Sequence, residues 1–239
     1  MNNINRRNII KTSGAVLAGA GFNIPTASAA ESASADENSG LSTGSPVPLK
    51  VRVVPGFLSE QQIEVHHRAH YGGALGRYKE LNQTLIAVSR KQKSPPGAAF
   101  GAMLRDRASK ANSVVLHEVY FDGLSTQTTT PQAYLAEAID DWFGSAANWA
   151  TDFAACARSA SGWAILALHT INGQLFNVAS DEHATNLMWG CVPLVALDVY
   201  EHAYYLDYLN DKGTYIDRFF DHMDWNATAT RYAEATAYK

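Results

Sequence analysis

Between Leu58 and about Lys91, apolar and half-polar positions recur at mixed three- and four-residue intervals through Ile63, His66, His70, Leu81, Leu85 and Val88. Residues at those spacings share a helix face, so the pattern predicts a helix. Ser59 is placed to cap its start, with Gln62 three residues on as the partner in a capping box. Ser94-Pro95-Pro96-Gly97 breaks the pattern, and a second helix is predicted from about Phe100 to Tyr120. Two helices around a short break make an antiparallel hairpin. Beyond a polar loop at Thr126–Thr130, Pro131 stands where a first helical residue is favoured. PQAYLAEAIDDWFG and SAANWATDFAACARSA then read as two further helices. The texture changes at GWAILALHT and QLFNVAS, two β-rich runs joined through Ile171-Asn172-Gly173, where Asn-Gly signals a hairpin. WGCVPLVALDVY reads as a third strand, and the tail from Tyr204 to Tyr232 as helical with a break at Asp211-Lys212-Gly213. The expected fold class is α+β: an N-terminal antiparallel helical hairpin, then a lobe with a small three-stranded antiparallel sheet and helices.

The ends change the domain picture. Residues 1–29 carry Arg6-Arg7, an apolar Gly/Ala-rich run from Gly14 to Phe22 and Ala27-Ser28-Ala29, a small-residue cleavage pattern. NRRNIIK resembles a twin-arginine export signal, a receptor-read address and not an anchor. The apolar run falls far short of the roughly 20 residues needed to span a bilayer. The expectation is a protein exported to the periplasm or outside the cell, with no membrane span. Residues 30–48, rich in Ser, Ala, Glu and Gly, are expected to be a disordered linker. The folded part divides into a hairpin lobe at 49–128 and an α/β lobe at 129–239.

The chain has 19 basic and 23 acidic residues. Removing Arg6, Arg7 and Lys11 with the leader leaves 16 against 23, a net charge of −7, and no basic stripe of the kind a nucleic-acid binder shows. Cys156 and Cys191 form no C-x-x-C zinc spacing and are expected as buried free thiols.

The candidate chemistry lies in three histidine segments. LDVYEHAYYLDYLN sets Asp198 four residues before His202; HHRAH puts His66 and His70 four apart; LHEVYF carries His117 near the end of the second helix. Imidazoles and one carboxylate drawn from both lobes would place a metal at the lobe interface, and that donor set suits Fe or Mn.

These same residues resemble the iron/manganese superoxide dismutases. DVYEHAYYLDYLN is similar to that family's signature D-V-W-E-H-A-Y-Y, LSEQQIEVH with HYGG to its first ligand helix, LHEVYF to its second ligand segment, and SGWAILAL and PLVALDVYEH to two of its strands. The resemblance implies one Fe or Mn per subunit, with a slight lean to Fe, held by His66, His117, Asp198 and His202 with a solvent as fifth ligand. It implies conversion of superoxide to dioxygen and hydrogen peroxide as the metal cycles between its +3 and +2 states. It gives His70 the role of gateway to a substrate funnel, Tyr205 that of a funnel tyrosine touching His70, and Trp163 that of an aromatic wall. Glu201 would reach a ligand histidine of a partner, implying a homodimer whose interface includes Glu201 and His70. Lys212 stands where the family has Arg.

Three departures stand out. Ala74 occupies the position of the family's proton-relay tyrosine, with Tyr78 one turn later as a possible substitute. Tyr200 replaces the signature Trp. The glutamine that hydrogen-bonds the solvent ligand is absent from both its usual places: Ser113 stands at one and His183 at the other. Two rivals follow: a non-haem iron oxygenase, disfavoured by the fourth ligand, and a non-catalytic relative kept as a metal-holding or interaction protein. Serine-nucleophile chemistry is not expected.

Overall fold

The computed structural model describes residues 38–90 and 97–237. The expected leader, the first part of the linker and the Ser94–Pro96 break lie outside the described residues. Helices run at Gly40–Thr43 (α1), Glu60–Val65 (α2), Gly72–Arg90 (α3), Gly97–Asp122 (α4), Ala133–Phe143 (α5) and Ala146–Ser159 (α6). Three strands follow, Trp163–His169 (β1), Leu175–Ser180 (β2) and Cys191–Asp198 (β3), then helices Tyr205–Tyr208 (α7), Lys212–Phe219 (α8) and Trp225–Thr236 (α9). No helix among the described residues is long and apolar enough to cross a membrane. The α+β class and the hairpin-then-sheet order are as expected.

Between α2 and α3 the chain does not continue as plain α-helix. His66–Tyr71 forms a π turn, in which Gly72 N–H reaches back five residues to His67 O. Single π turns of this kind recur at functional sites. Ser59 Oγ accepts from Gln62 N (3.1 Å) and starts α2, but the box does not close. Ser59 N–H donates instead to Asp207 Oδ2 (2.7 Å), and the Gln62 side chain goes elsewhere.

The hairpin between β1 and β2 turns where expected. Gly173 takes the left-handed conformation (φ 76°) that favours glycine, and Asn172 Oδ1 accepts from Gln174 N (3.0 Å). The sheet order is β2-β1-β3, all antiparallel. Pro193 is tolerated because β3 is an edge strand and its register with β1 shifts between Leu166 and Ala167. The carbonyl of Leu194 at this irregularity is taken up by Arg231 Nε (2.9 Å).

Several expectations are corrected. Residues 38–48, expected to be a disordered linker, are ordered: Ser39 Oγ caps α1 by accepting from Leu41 N (3.2 Å) and Gly40 is buried. Their order comes from contacts with residues far along the chain, which local composition does not register. Pro131 lies outside α5, whose N-cap is Gln132. The tail breaks twice, since Asp211 caps α8 and Asp224 caps α9, accepting from Thr214 N (3.0 Å) and Asn226 N (2.9 Å). The two lobes form one compact unit among the described residues, with α4 packed on β3. Cys156 and Cys191 are free but only half-buried.

Candidate metal centre

The sheet presents one end to the hairpin. Trp163, first in β1, sits opposite both Ser180, last in β2, and Asp198, last in β3. One end of three strands therefore supplies Trp163, Asp198 and, just past β2, His183. The hairpin brings His66 on the π turn and His117 on α4, and a short 3₁₀ turn at Glu201–Ala203 returns His202 to the same point.

His66, His117, Asp198 and His202 each offer one ligand atom, and these atoms lie within 4.8 Å of one another. Asp198 Oδ2 is 3.1 Å from His66 Nε2, 3.2 Å from His202 Nε2 and 3.6 Å from His117 Nε2. Asp198, His66 and His117 are buried, and only the His202 side chain reaches solvent, at 23%. The other carboxylate oxygen of Asp198 accepts from Tyr200 N (3.0 Å), and the Asp198 backbone carbonyl accepts from Tyr215 Oη (2.9 Å), which lies 3.1 Å from Tyr120 Oη.

The electrostatics suit a cation. Burial by itself would raise the Asp198 carboxyl, but hydrogen bonds from His202 and His66 outweigh it and hold the group below the usual carboxylate range. Burial pushes His66 and His117 down, so both rings stay neutral, the state in which imidazole binds metals. At His117 the tautomer is set. Nδ1–H donates to Ser113 O (2.7 Å), leaving Nε2 buried with no hydrogen-bond partner. An orphaned buried nitrogen is costly unless something binds it. The donor set, three imidazoles and one carboxylate, fits Fe or Mn.

Around the four, His70 stacks on the His202 ring at 3.6 Å and 6°, and burial lowers it to about 4. Trp163 is fully buried, meets His117 edge-on at 5.1 Å and donates from Nε1 to His183 Nδ1 (2.9 Å). That bond leaves the proton of a neutral His183 on Nε2. Burial lowers His183, which keeps the ring neutral. Tyr200 stacks on His202 (5.2 Å, 15°) and lies 5.4 Å from His183.

Some expected contacts are not made. Within this single chain Tyr205 is 45% exposed and makes no ring contact with His70 among the described residues; the rings that meet His70 are those of His202 and His66. Ser113 is not idle: its backbone carbonyl orients His117 and its Oγ lies 3.3 Å from the same Nδ1. Ala74 is buried on α3, and Tyr78 makes no ring contact or side-chain hydrogen bond to the centre among the described residues. Lys212 Nζ donates to Ala160 O (2.6 Å) at the end of α6 and is half-buried, so it is neither a free surface lysine nor aimed at the centre. Glu201 is exposed beside His202. Gly40-Leu41-Ser42-Thr43-Gly44 does spell G-x-S-x-G, but Ser42 is exposed on the one-turn α1 and not on a strand-to-helix elbow.

Gln62, expected as the partner in a capping box, is a brace. It is 1% exposed, donates from Nε2 to His202 O (2.6 Å) and accepts at Oε1 from Leu206 N (3.1 Å). The available signal was its place four residues before His66, on the same face. Gln62→Leu strands both backbone groups. It is expected to cost about 1–3 kcal/mol, read from the urea midpoint.

Fold and cluster together define a mononuclear metalloprotein in which a helical hairpin and one end of a three-stranded sheet share a His₃Asp donor set. Residues 131–231 match the family described as iron/manganese superoxide dismutases, C-terminal domain. Superoxide dismutase [Mn] 2 of Haloferax volcanii is 34% identical over 191 residues, covering 80% of this chain and 94% of that protein. Superoxide dismutase [Fe] of Cupriavidus metallidurans is 35% identical over 181 residues (74% and 90%), and superoxide dismutase [Fe] of Aquifex pyrophilus 32% over 182 residues (74% and 85%). The chain belongs to the iron/manganese superoxide dismutase family.

Proposed function

We propose that this protein dismutes superoxide to dioxygen and hydrogen peroxide with one Fe or Mn held by His66, His117, Asp198 and His202. The observation that carries the reading is the convergence of three ring nitrogens on Asp198 Oδ2 with His117 Nε2 left unpartnered. Bound there, the metal would supply one-electron cycling between +3 and +2. The chain's own residues set the conditions. Asp198 is held anionic and the buried rings neutral. Trp163 closes the wall behind His117 and fixes the His183 tautomer, so that Nε2–H of His183 is the donor available to solvent at the centre. His70, half-buried against His202, stands at the entrance.

The lean is to iron. The Mn-named and Fe-named relatives are similar to this chain to about the same degree, and His183 in place of the family's glutamine does not itself select between the metals, so metal loading decides. The exposed Glu201 beside His202 supports a homodimer in which it meets a ligand histidine of the partner. The Arg6-Arg7 leader supports export to the periplasm or beyond by the twin-arginine route.

The test is to load purified protein separately with Fe and Mn and follow superoxide loss. The iron form is expected to be the faster and well above free-metal background. Background rates in both forms would sink the reading and favour a non-catalytic, metal-holding relative. Restoring a phenol with Ala74→Tyr is expected to speed proton-limited turnover by up to about 10²-fold and to shift the pH profile, as an added acid–base group should. An unchanged profile and unchanged product release would show that position 74 does not limit proton delivery.

A further inference from the structure

The residues next to two of the ligands hold a strap. His67 follows His66, and Glu118 follows His117. His67 Nε2 is 2.8 Å from Val47 O and donates to it. The Glu118 carboxylate accepts from Ser39 Oγ, from Gly40 N and from Tyr71 Oη, each at 2.8 Å. Tyr71 Oη in turn accepts from Val47 N (2.9 Å), and Lys79 Nζ donates to Gly44 O (2.7 Å). The segment Ser39–Val47 is thus tied at both ends and in the middle to the π turn, α3 and α4.

These bonds do more than seat the segment. Tyr71 lies on the π turn that carries His66, and Glu118 on the helix that carries His117, so the Tyr71–Glu118 bond spans the two ligand-bearing elements. The strap adds to it: Ser39 Oγ and Gly40 N donate to the same carboxylate, and Val47 N to the same hydroxyl. Gly40 is fitted to this junction: a Cβ there would meet Tyr71 Oη at 2.7 Å, Glu118 Oε1 at 3.1 Å and Leu75 Cδ2 at 3.1 Å. Any side chain at position 40 has to displace the groups that join the two elements.

We propose that Ser39–Val47 is a clamp on the metal centre. Docked, it fixes the spacing between the π turn bearing His66 and the helix bearing His117; undocked, it lets the metal leave faster. Glu118, Tyr71 and His67 are then positioning residues that act through the adjacent ligands. Ligands need to be held within about 0.5 Å of the productive geometry, and outer partners of metal ligands commonly control affinity by about 10–100-fold. The inference rests on the four-ligand reading.

The experiment uses metal-loaded full-length protein and measures metal transfer to excess chelator, exchange of the Val47 amide, and the unfolding midpoint. Gly40→Val changes the strap alone, and Val47→Pro removes the donor to Tyr71; neither alters the ligand-bearing elements. Each is expected to expose the strap to exchange and to raise the rate of metal release by about tenfold or more, with the midpoint little changed. Glu118→Ala should behave in the same way. Glu118→Gln keeps a carbonyl oxygen for Gly40 N–H and Tyr71 Oη–H, and should restore slow release. Unchanged release in a variant whose strap is undocked overturns the clamp, as does release that only tracks loss of global stability. Wild-type protein that retains no metal fails the four-ligand reading itself, whereas wild type and Gly40→Val that retain it equally fail the clamp alone.

Discussion

Asp198→Asn is expected to empty the centre of metal and to bring superoxide dismutation down to free-metal background. Asp198 is fully buried and is the only anionic donor among the four. Its Oδ2 is the point on which His66, His117 and His202 converge. Asparagine keeps the volume and can still accept from Tyr200 N, so the turn into the 3₁₀ segment should survive. What disappears is the charge that offsets a +2 or +3 ion in a dry site. Loss of outer partners alone costs about 10–100-fold in affinity, and loss of the charged ligand should exceed that range. Elemental analysis after loading, with a far-ultraviolet spectrum to verify the fold, decides the matter. A folded variant that retains a full complement of metal would remove Asp198 from the ligand set.

Trp163→Ala should cost about 3–5 kcal/mol, the range for emptying a buried aromatic position, and should abolish most activity as well. Trp163 is 0% exposed at the start of β1, paired in register with Asp198. Its two roles can be separated. Trp163→Phe refills most of the volume but removes the Nε1–H donor to His183 Nδ1. It should cost about 1–3 kcal/mol and lower turnover, since His183 is then free to carry its proton on either nitrogen. Denaturant midpoints report the packing and rates report the tautomer. A Phe variant matching wild type in both would show that the indole hydrogen bond does nothing beyond filling space.

These expectations draw unequally on sequence and structure. Local periodicity was enough for the hairpin, because Ile63, Leu81 and Leu85 bury one face at helical spacing. Short β-rich runs around Asn172-Gly173 were enough for the first two strands. The misses share a cause. Ser39 and Gly40 are small, and nothing local marks them as ordered; Glu118, far away in the chain, holds both, as Tyr71 holds Val47. Gln62 reads as a cap because its true partners, His202 O and Leu206 N, are more than a hundred residues downstream.

Sequence by itself determined the donor types, their pairwise spacings and the order of the elements that carry them, since each depends on residue identity and on contacts within a turn or a hairpin. Tertiary structure alone decided that the ring nitrogens of three histidines meet at one oxygen of Asp198, that Ser113 O sets the His117 tautomer and Trp163 that of His183, and that burial keeps the His66 and His117 rings neutral. Protonation and tautomer depend on desolvation and on hydrogen-bond partners brought together only by packing, so no local pattern could have carried them.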